Sequence, residues 1–195
     1  MSRNSSIDKD NLYTRQTGIV DMRKVDNARA CIIGCGAIGS MTAIVLAKLG
    51  MSRFTLYDDD KVEIHNLPNQ YYTIKDIGRY KPDALGVTLK KYNPSATIWP
   101  QNRKFNPKED VISNDDILIV AVDDMNVRKA IFEKALKIKF LNRYIEARMG
   151  GESFRVYSVA FENILAIDAY KKTLYASNKA EDIPCTEKAI IFISI

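Results

Sequence analysis

The chain has 195 residues, with 29 Lys and Arg against 24 Asp and Glu for a formal net charge of +5; 46% of residues are apolar and 27% charged. These proportions belong to one globular domain with at most a small appendage, and they exclude intrinsic disorder, collagen and low complexity. The charges are interspersed, so no nucleic-acid partner is expected, and the mild basicity suits an anionic small ligand or an acidic protein partner.

Residues 1–27 are polar and read as a short helical arm, followed by one domain over 28–195. Met1 to Asp10 lacks the apolar core of a signal peptide, and no apolar run approaches the ~20 residues of a membrane span. Ala30 to Ile33 is a short buried strand that meets Gly34, and Ile38, Met41, Val45 and Leu49 then recur at helical spacing up to Gly50. Arg53 to Tyr57 is a second strand, ending in Asp58, Asp59 and Asp60. A long polar connection from Lys61 to Arg79 follows, and connections of that length are usually functional or disordered.

Leu85, Leu89 and Tyr92 mark the next helix, which stops at Asn93-Pro94. Ala96 to Pro100 is a short strand. Asp116 to Val122 is a strongly apolar one that ends at Asp123 and Asp124. Val127, Ile131, Ala135 and Ile138 give another helix, and Tyr144 to Ala147 and Phe154 to Phe161 two further strands. Strands alternating with helices predict an α/β, Rossmann-like fold: a mostly parallel sheet with helices on both faces and an antiparallel extension toward the C-terminus. Residues 162–184 are expected as a crossover loop. The apolar ending Ala-Ile-Ile-Phe-Ile-Ser-Ile reads as the start of a buried element, so truncation or a pairing partner is expected.

Gly34-Cys35-Gly36-Ala37-Ile38-Gly39 is a GxGxxG between a predicted strand and a predicted helix. Glycine there permits a tight turn and close backbone approach, and the helix N-terminus offers free N–H groups to an anion. Gly34, Gly36, Ala37, Ile38 and Gly39 are therefore candidate nucleotide-binding residues. Asp58, 24 residues after Gly34, is placed to accept from a ribose hydroxyl. To this point NAD and ATP are equally allowed.

The long connection decides between them. It reads Asp58-Asp59-Asp60-Lys61-Val62-Glu63-Ile64-His65-Asn66-Leu67-Pro68-Asn69-Gln70, then Asp76-Ile77-Gly78-Arg79-Tyr80-Lys81. This resembles the ThiF/MoeB/HesA family of adenylyltransferases, relatives of the ubiquitin-activating enzymes. Tyr13-Thr14-Arg15-Gln16, Asn93-Pro94, Asp123 to Arg128, Glu146 to Gly150 and Pro184-Cys185-Thr186-Glu187 resemble further motifs of that family in the same order.

The resemblance implies ATP-dependent adenylation of the C-terminal carboxylate of a small ubiquitin-like or sulfur-carrier protein, or of a peptide, with release of pyrophosphate, by a homodimer. The odd count of three cysteines, at no disulfide-like spacing, separately points to a reducing, cytoplasmic compartment. The resemblance also implies that Asp58 holds the ribose, with Asp60 and Gln70 in the nucleotide site. It further implies that Lys81 contacts the phosphates with Asn66 nearby, that Asp123 binds Mg²⁺, and that Arg15 reaches the partner subunit's ATP. Cys185 lies where members carry a thiol able to capture the activated carrier; a buried structural role weighs equally. Two departures stand out. The family Arg is Asn69 here, and the CxxC pairs are absent, so no zinc is expected.

Other features have plainer readings. His65 reads as a surface residue and Cys31 as core; Cys35 reads as packing, with redox sensitivity the alternative. Tyr71 and Tyr72 pack the long loop or line a pocket, and Arg128 packs its helix or meets a ligand. Two rival functions remain: an NAD-dependent oxidoreductase, which leaves Lys81 and Asp123 unexplained, and a non-catalytic subunit that binds nucleotide or carrier, favoured by Asn69.

Overall fold

The computed structural model describes residues 12–16, 18–113, 116–138, 141, 143–150 and 153–174. Its elements run α1 (Met22–Asn27), β1 (Arg29–Ile33), α2 (Ala37–Leu49), β2 (Arg53–Tyr57), α3 (Lys81–Tyr92), β3 (Thr97–Gln101), β4 (Asp116–Val120), α4 (Met125–Ala135), β5 (Arg143–Gly150), β6 (Ser153–Val159) and α5 (Ile164–Lys171). The six strands form one sheet in the order β3-β2-β1-β4-β5-β6. All pairs are parallel except β5 with β6, which is the antiparallel extension expected from the sequence.

Side-chain alternation along β1 builds two cores. Ala30 and Ile32 face one side and pack with Ala43, Ile44, Leu85 and Leu89 of α2 and α3. Cys31 and Ile33 face the other and pack with Ile131, Phe132, Tyr144 and Tyr170. Both faces of β1 are therefore covered, which is why its sequence is a continuous apolar run. At the outer edge, Thr97 donates to the Ser52 carbonyl and Gln101 accepts from the Asp58 N–H, so the residues between them alternate away from β2. Pro100 occupies one of those outward positions, where its missing N–H breaks no ladder bond.

Two glycines set the β1–α2 corner. Gly34 has φ of +94°, and a Cβ there would lie 2.6 Å from the Ala121 carbonyl oxygen. A Cβ on Gly39 would fall 1.8 Å from the Gly34 carbonyl oxygen. The helix can therefore start only where both side chains are absent.

The long connection contains 3₁₀ turns at Ile64–Asn66 and Ile74–Asp76, each closed by a reciprocal side-chain cap. Inside the segment expected as a crossover loop, Ile164–Lys171 forms α5. Asn163 caps it by accepting from the Ala166 N–H at 3.1 Å, and buried Tyr170 anchors it to β5. Its apolar start misleads, because Ile164 and Leu165 face solvent. Among the described residues no helix is long and apolar enough to cross a membrane.

Candidate functional site

Sheet topology gathers the site. From β1 the chain winds one way through β2 and β3, then returns to the other side of β1 as β4. That reversal opens a crevice at the carboxyl ends of β1 and β4, the ligand position of open α/β sheets. Ile33 pairs with Tyr57 on one side and Val120 on the other, so the residues just beyond them meet at one edge. These are the Gly34–Gly39 turn, the Asp58–Asp60 run and Asp123.

The turn is held firmly. Gly34 donates to the Tyr57 carbonyl at 2.9 Å, and the Cys35 N–H donates to Asp58 Oδ2 at 2.7 Å. Asp58 Oδ1 accepts from the Asp60 N–H at 2.9 Å. Burial raises the Asp58 pKa above its ordinary value, and these two backbone donors work against that rise. Tyr72, itself buried, donates its hydroxyl to the Cys35 carbonyl at 2.7 Å. No side chain caps the first turn of α2 at Gly36, leaving the N–H groups of Ala37, Ile38 and Gly39 at an uncapped helix N-terminus.

Lys81 opens α3 and is only 6% exposed. Its Nζ lies 2.7 Å from Asp60 Oδ2, and its backbone N–H donates to the Asp60 carbonyl at 2.9 Å. The Tyr72 hydroxyl is also 3.4 Å from the Lys81 carbonyl, which sets the start of α3 against the glycine turn. A lysine buried this deeply is no ordinary surface cation.

Asp58, Asp59 and Asp60 bring carboxylate oxygens within 4.8 Å of one another. Each already has a partner: backbone N–H groups for Asp58, Lys104 at 3.8 Å for Asp59 and Lys81 for Asp60. Asp123 and Asp124 divide their work. Asp124 caps α4, accepting from the N–H groups of Asn126 at 2.7 Å and Val127 at 3.0 Å. Asp123 is exposed at the carboxyl end of β4, so it is the acid of this pair available to a cation.

Asn66 is buried, and its Oδ1 accepts from the Glu63 N–H at 2.9 Å, so that atom shapes the loop. The side-chain oxygens of Asn69 and Gln70 are buried without a hydrogen-bond partner. Tyr71 N–H donates to Ser40 Oγ at 3.0 Å, bringing this segment to the first turns of α2.

Arg15 lies elsewhere. Tyr13 packs on Gly50 at the far end of α2, about 20 Å along that helix from the glycine turn. Arg15 is exposed there and does not join the site of its own chain. Cys185 lies outside the described residues.

Other expectations resolve as follows. Cys35 packs fully buried, its Sγ 3.7 Å from the Tyr57 carbonyl oxygen, and burial, then Asp58, push its thiol well above its usual range. Arg128 is a packing charge: its guanidinium pairs with fully buried Glu146 and donates to the Ala147 carbonyl at 3.0 Å. Arg148 Nε donates to the same carboxylate at 2.6 Å, and Tyr170 also donates to it. His65 is exposed beside Glu63, and Cys31 is core. Tyr71 and Tyr72 pack the long loop; the Tyr72 hydroxyl is the site feature that sequence reading missed.

A groove of about 470 Å³ lies away from this crevice, between α3 and the β3 edge, with Lys61, Arg79, Tyr80, Val87, Lys90 and Pro100 among its walls. None of the glycine-turn residues lines it. The convergent backbone donors, buried cation and exposed acid identify the crevice as the candidate site.

Comparison with known proteins agrees with this geometry. The chain is 31% identical over 124 residues to the adenylyltransferase and sulfurtransferase uba4 of Aspergillus clavatus, covering 62% of this chain and 25% of that protein. It is 29% identical over 146 residues to ubiquitin-like modifier-activating enzyme 5 of Bombyx mori, covering 65% and 37%. The chain thus spans between a quarter and some two fifths of the length of these relatives. Among solved structures, E. coli MccB with MccA-N7isoASN superposes with a TM-score of 0.66 at 24% identity, covering 75% of this chain and 46% of that one. The E. coli tRNA N6-threonylcarbamoyladenosine dehydratase TcdA in complex with ATP gives 0.62 at 22%, covering 73% and 60%. These two share the fold. Residues 9–172 match the ThiF family, and with the strand order and glycine turn already described, the chain belongs to that family.

Proposed function

We propose that this chain binds ATP in the β1–β4 crevice and adenylates the C-terminal carboxylate of a small ubiquitin-like or sulfur-carrier protein, or of a peptide, releasing pyrophosphate. The observation that carries the reading is the buried Lys81 ammonium beside an uncapped helix N-terminus. Two anions, a carboxylate and a triphosphate, must be held in line, and that requires fixed positive charge. An NAD-dependent oxidoreductase leaves Lys81 and Asp123 unexplained.

In this reading the first-turn N–H groups of α2 and the Lys81 ammonium hold phosphate oxygens. Asp58 accepts from the ribose, with Asn66 and Gln70 in the surrounding loop. Asp123 holds Mg²⁺, whose charge offsets that of the phosphates. Lys81 exchanges its contact with Asp60 for one with the nucleotide. Arg15, remote from its own crevice, serves the partner subunit's site in a homodimer. Cys185 is proposed as the thiol that receives the activated carrier.

The test is ATP–pyrophosphate exchange with small proteins ending in Gly-Gly. Carrier-dependent exchange is the expected result. Saturable NAD⁺ binding without exchange contradicts it. A non-catalytic role has one observation in its favour, the uncharged Asn69 in the position of the family arginine. It predicts ATP binding without exchange.

A further inference from the structure

Both polar groups of the Cys35 backbone are bonded to side chains from distant parts of the sequence. Its N–H donates to Asp58 Oδ2 at 2.7 Å, and its carbonyl accepts from the Tyr72 hydroxyl at 2.7 Å. The two peptide units flanking Cys35 are thereby fixed from outside the turn. The second unit joins Cys35 to Gly36. A trans peptide is planar, and its N–H points opposite to its carbonyl. Fixing the Cys35 carbonyl on the buried Tyr72 side therefore fixes the Gly36 N–H toward the opposite side. Gly36 borders open space, since a Cβ there would meet nothing within 4 Å. Among the described residues its N–H has no protein acceptor.

From this geometry we infer that Tyr72 is a positioning residue of the glycine turn: its hydroxyl orients the Cys35–Gly36 peptide so that the Gly36 N–H serves as a phosphate donor. The inference rests on the nucleotide reading above and adds a residue to it. A glycine-rich turn is free to rotate its peptides, and a flipped unit would present a carbonyl oxygen to the phosphate. Tyr72 opposes that flip. Burial also raises the pKa of its phenol, so the hydroxyl remains a donor throughout the working pH range. The Tyr72 oxygen lies 3.4 Å from the Lys81 carbonyl, so the same side chain spans from the turn to the first residue of α3.

The experiment is calorimetric titration of the full chain and of Tyr72→Phe with Mg-ATP and, separately, with adenosine. The inference expects the Kd for ATP to rise about three- to tenfold in Tyr72→Phe, while that for adenosine changes less than about twofold. A purely structural role would weaken both alike or neither, and either result overturns the inference. Tyr71→Phe removes a neighbouring hydroxyl that pairs with Tyr92 and is expected to leave ATP affinity unchanged; an equal loss there also overturns it. Failure of the unaltered chain to bind ATP overturns the nucleotide reading itself.

A measurement on the unaltered protein covers the case in which Tyr72→Phe does not fold. The chain has nine glycines, so ¹⁵N-glycine labelling gives a sparse amide spectrum. Gly36→Ala, which has room for its Cβ, assigns the Gly36 peak. ATP is expected to move that peak and adenosine to leave it in place. A peak unmoved at saturating ATP overturns the inference.

Discussion

Lys81 and Asp60 are joined twice: side chain to side chain at 2.7 Å, and Lys81 N–H to Asp60 carbonyl at 2.9 Å. The lysine side chain is 7% exposed and the aspartate 64%. The backbone bond fixes where α3 starts, and the ion pair neutralises a buried ammonium until an anion replaces the carboxylate. Lys81→Met is therefore expected to lower exchange turnover by about 10²–10³, equivalent to ~2.7–4 kcal/mol. Thermal stability should change little, because the released Asp60 is already hydrated. A loss below about threefold would make the cation irrelevant to turnover.

Adjacent acids should behave in opposite ways. Asp123→Ala is expected to abolish exchange while unfolding stays within about 0.5 kcal/mol of the unaltered chain, as for an exposed side chain. Asp124→Ala removes the N-cap of α4 and should cost about 0.5–2 kcal/mol in a denaturant melt. Normal exchange by Asp123→Ala at saturating Mg²⁺ would remove it from the site.

The Glu146 cluster makes a stability prediction with a sign. Burial opposes the Glu146 charge, but hydrogen bonds from Arg148 and the charge of Arg128 hold its pKa below the ordinary 4.5. Its contribution is thus fully present above pH 4.5 and is lost as pH falls through the lower folded value. Asp58 acts oppositely: its raised folded pKa means stability falls as pH rises from the ordinary 3.8 through the folded value. Glu146→Leu leaves two guanidinium groups without their buried partner and should cost about 3–5 kcal/mol in urea unfolding at neutral pH. A cost below ~1 kcal/mol would show that solvent already reaches the cluster.

Arg15 offers a test of assembly. In the proposed homodimer, inactive Arg15→Ala and inactive Asp123→Ala chains should recover exchange when mixed, because one hybrid site then has both intact residues. No recovery after demonstrated subunit exchange would contradict action in trans.

Much of this was legible in the sequence because the constraints are local. Gly34 and Gly39 are required by a turn six residues long, and the alternation within Ala30–Ile33 is set by strand geometry. The missed features are contacts over long sequence distances. The Tyr72 hydroxyl meets a carbonyl 37 residues earlier, and Arg128 meets Glu146 across 18. Neither separation has a periodicity to announce it. Helix α5 escaped because its apolar start faces solvent, while a single buried tyrosine and an asparagine cap set its position.

The central claim is that this crevice joins a carboxylate to AMP. The direct measurement is intact-mass spectrometry of a carrier protein after incubation with the chain, ATP and Mg²⁺. The account predicts a carrier carrying one AMP on its C-terminal carboxylate, formed with release of pyrophosphate and absent with Asp123→Ala. A chain that binds ATP saturably yet leaves every Gly-Gly carrier unmodified would contradict it.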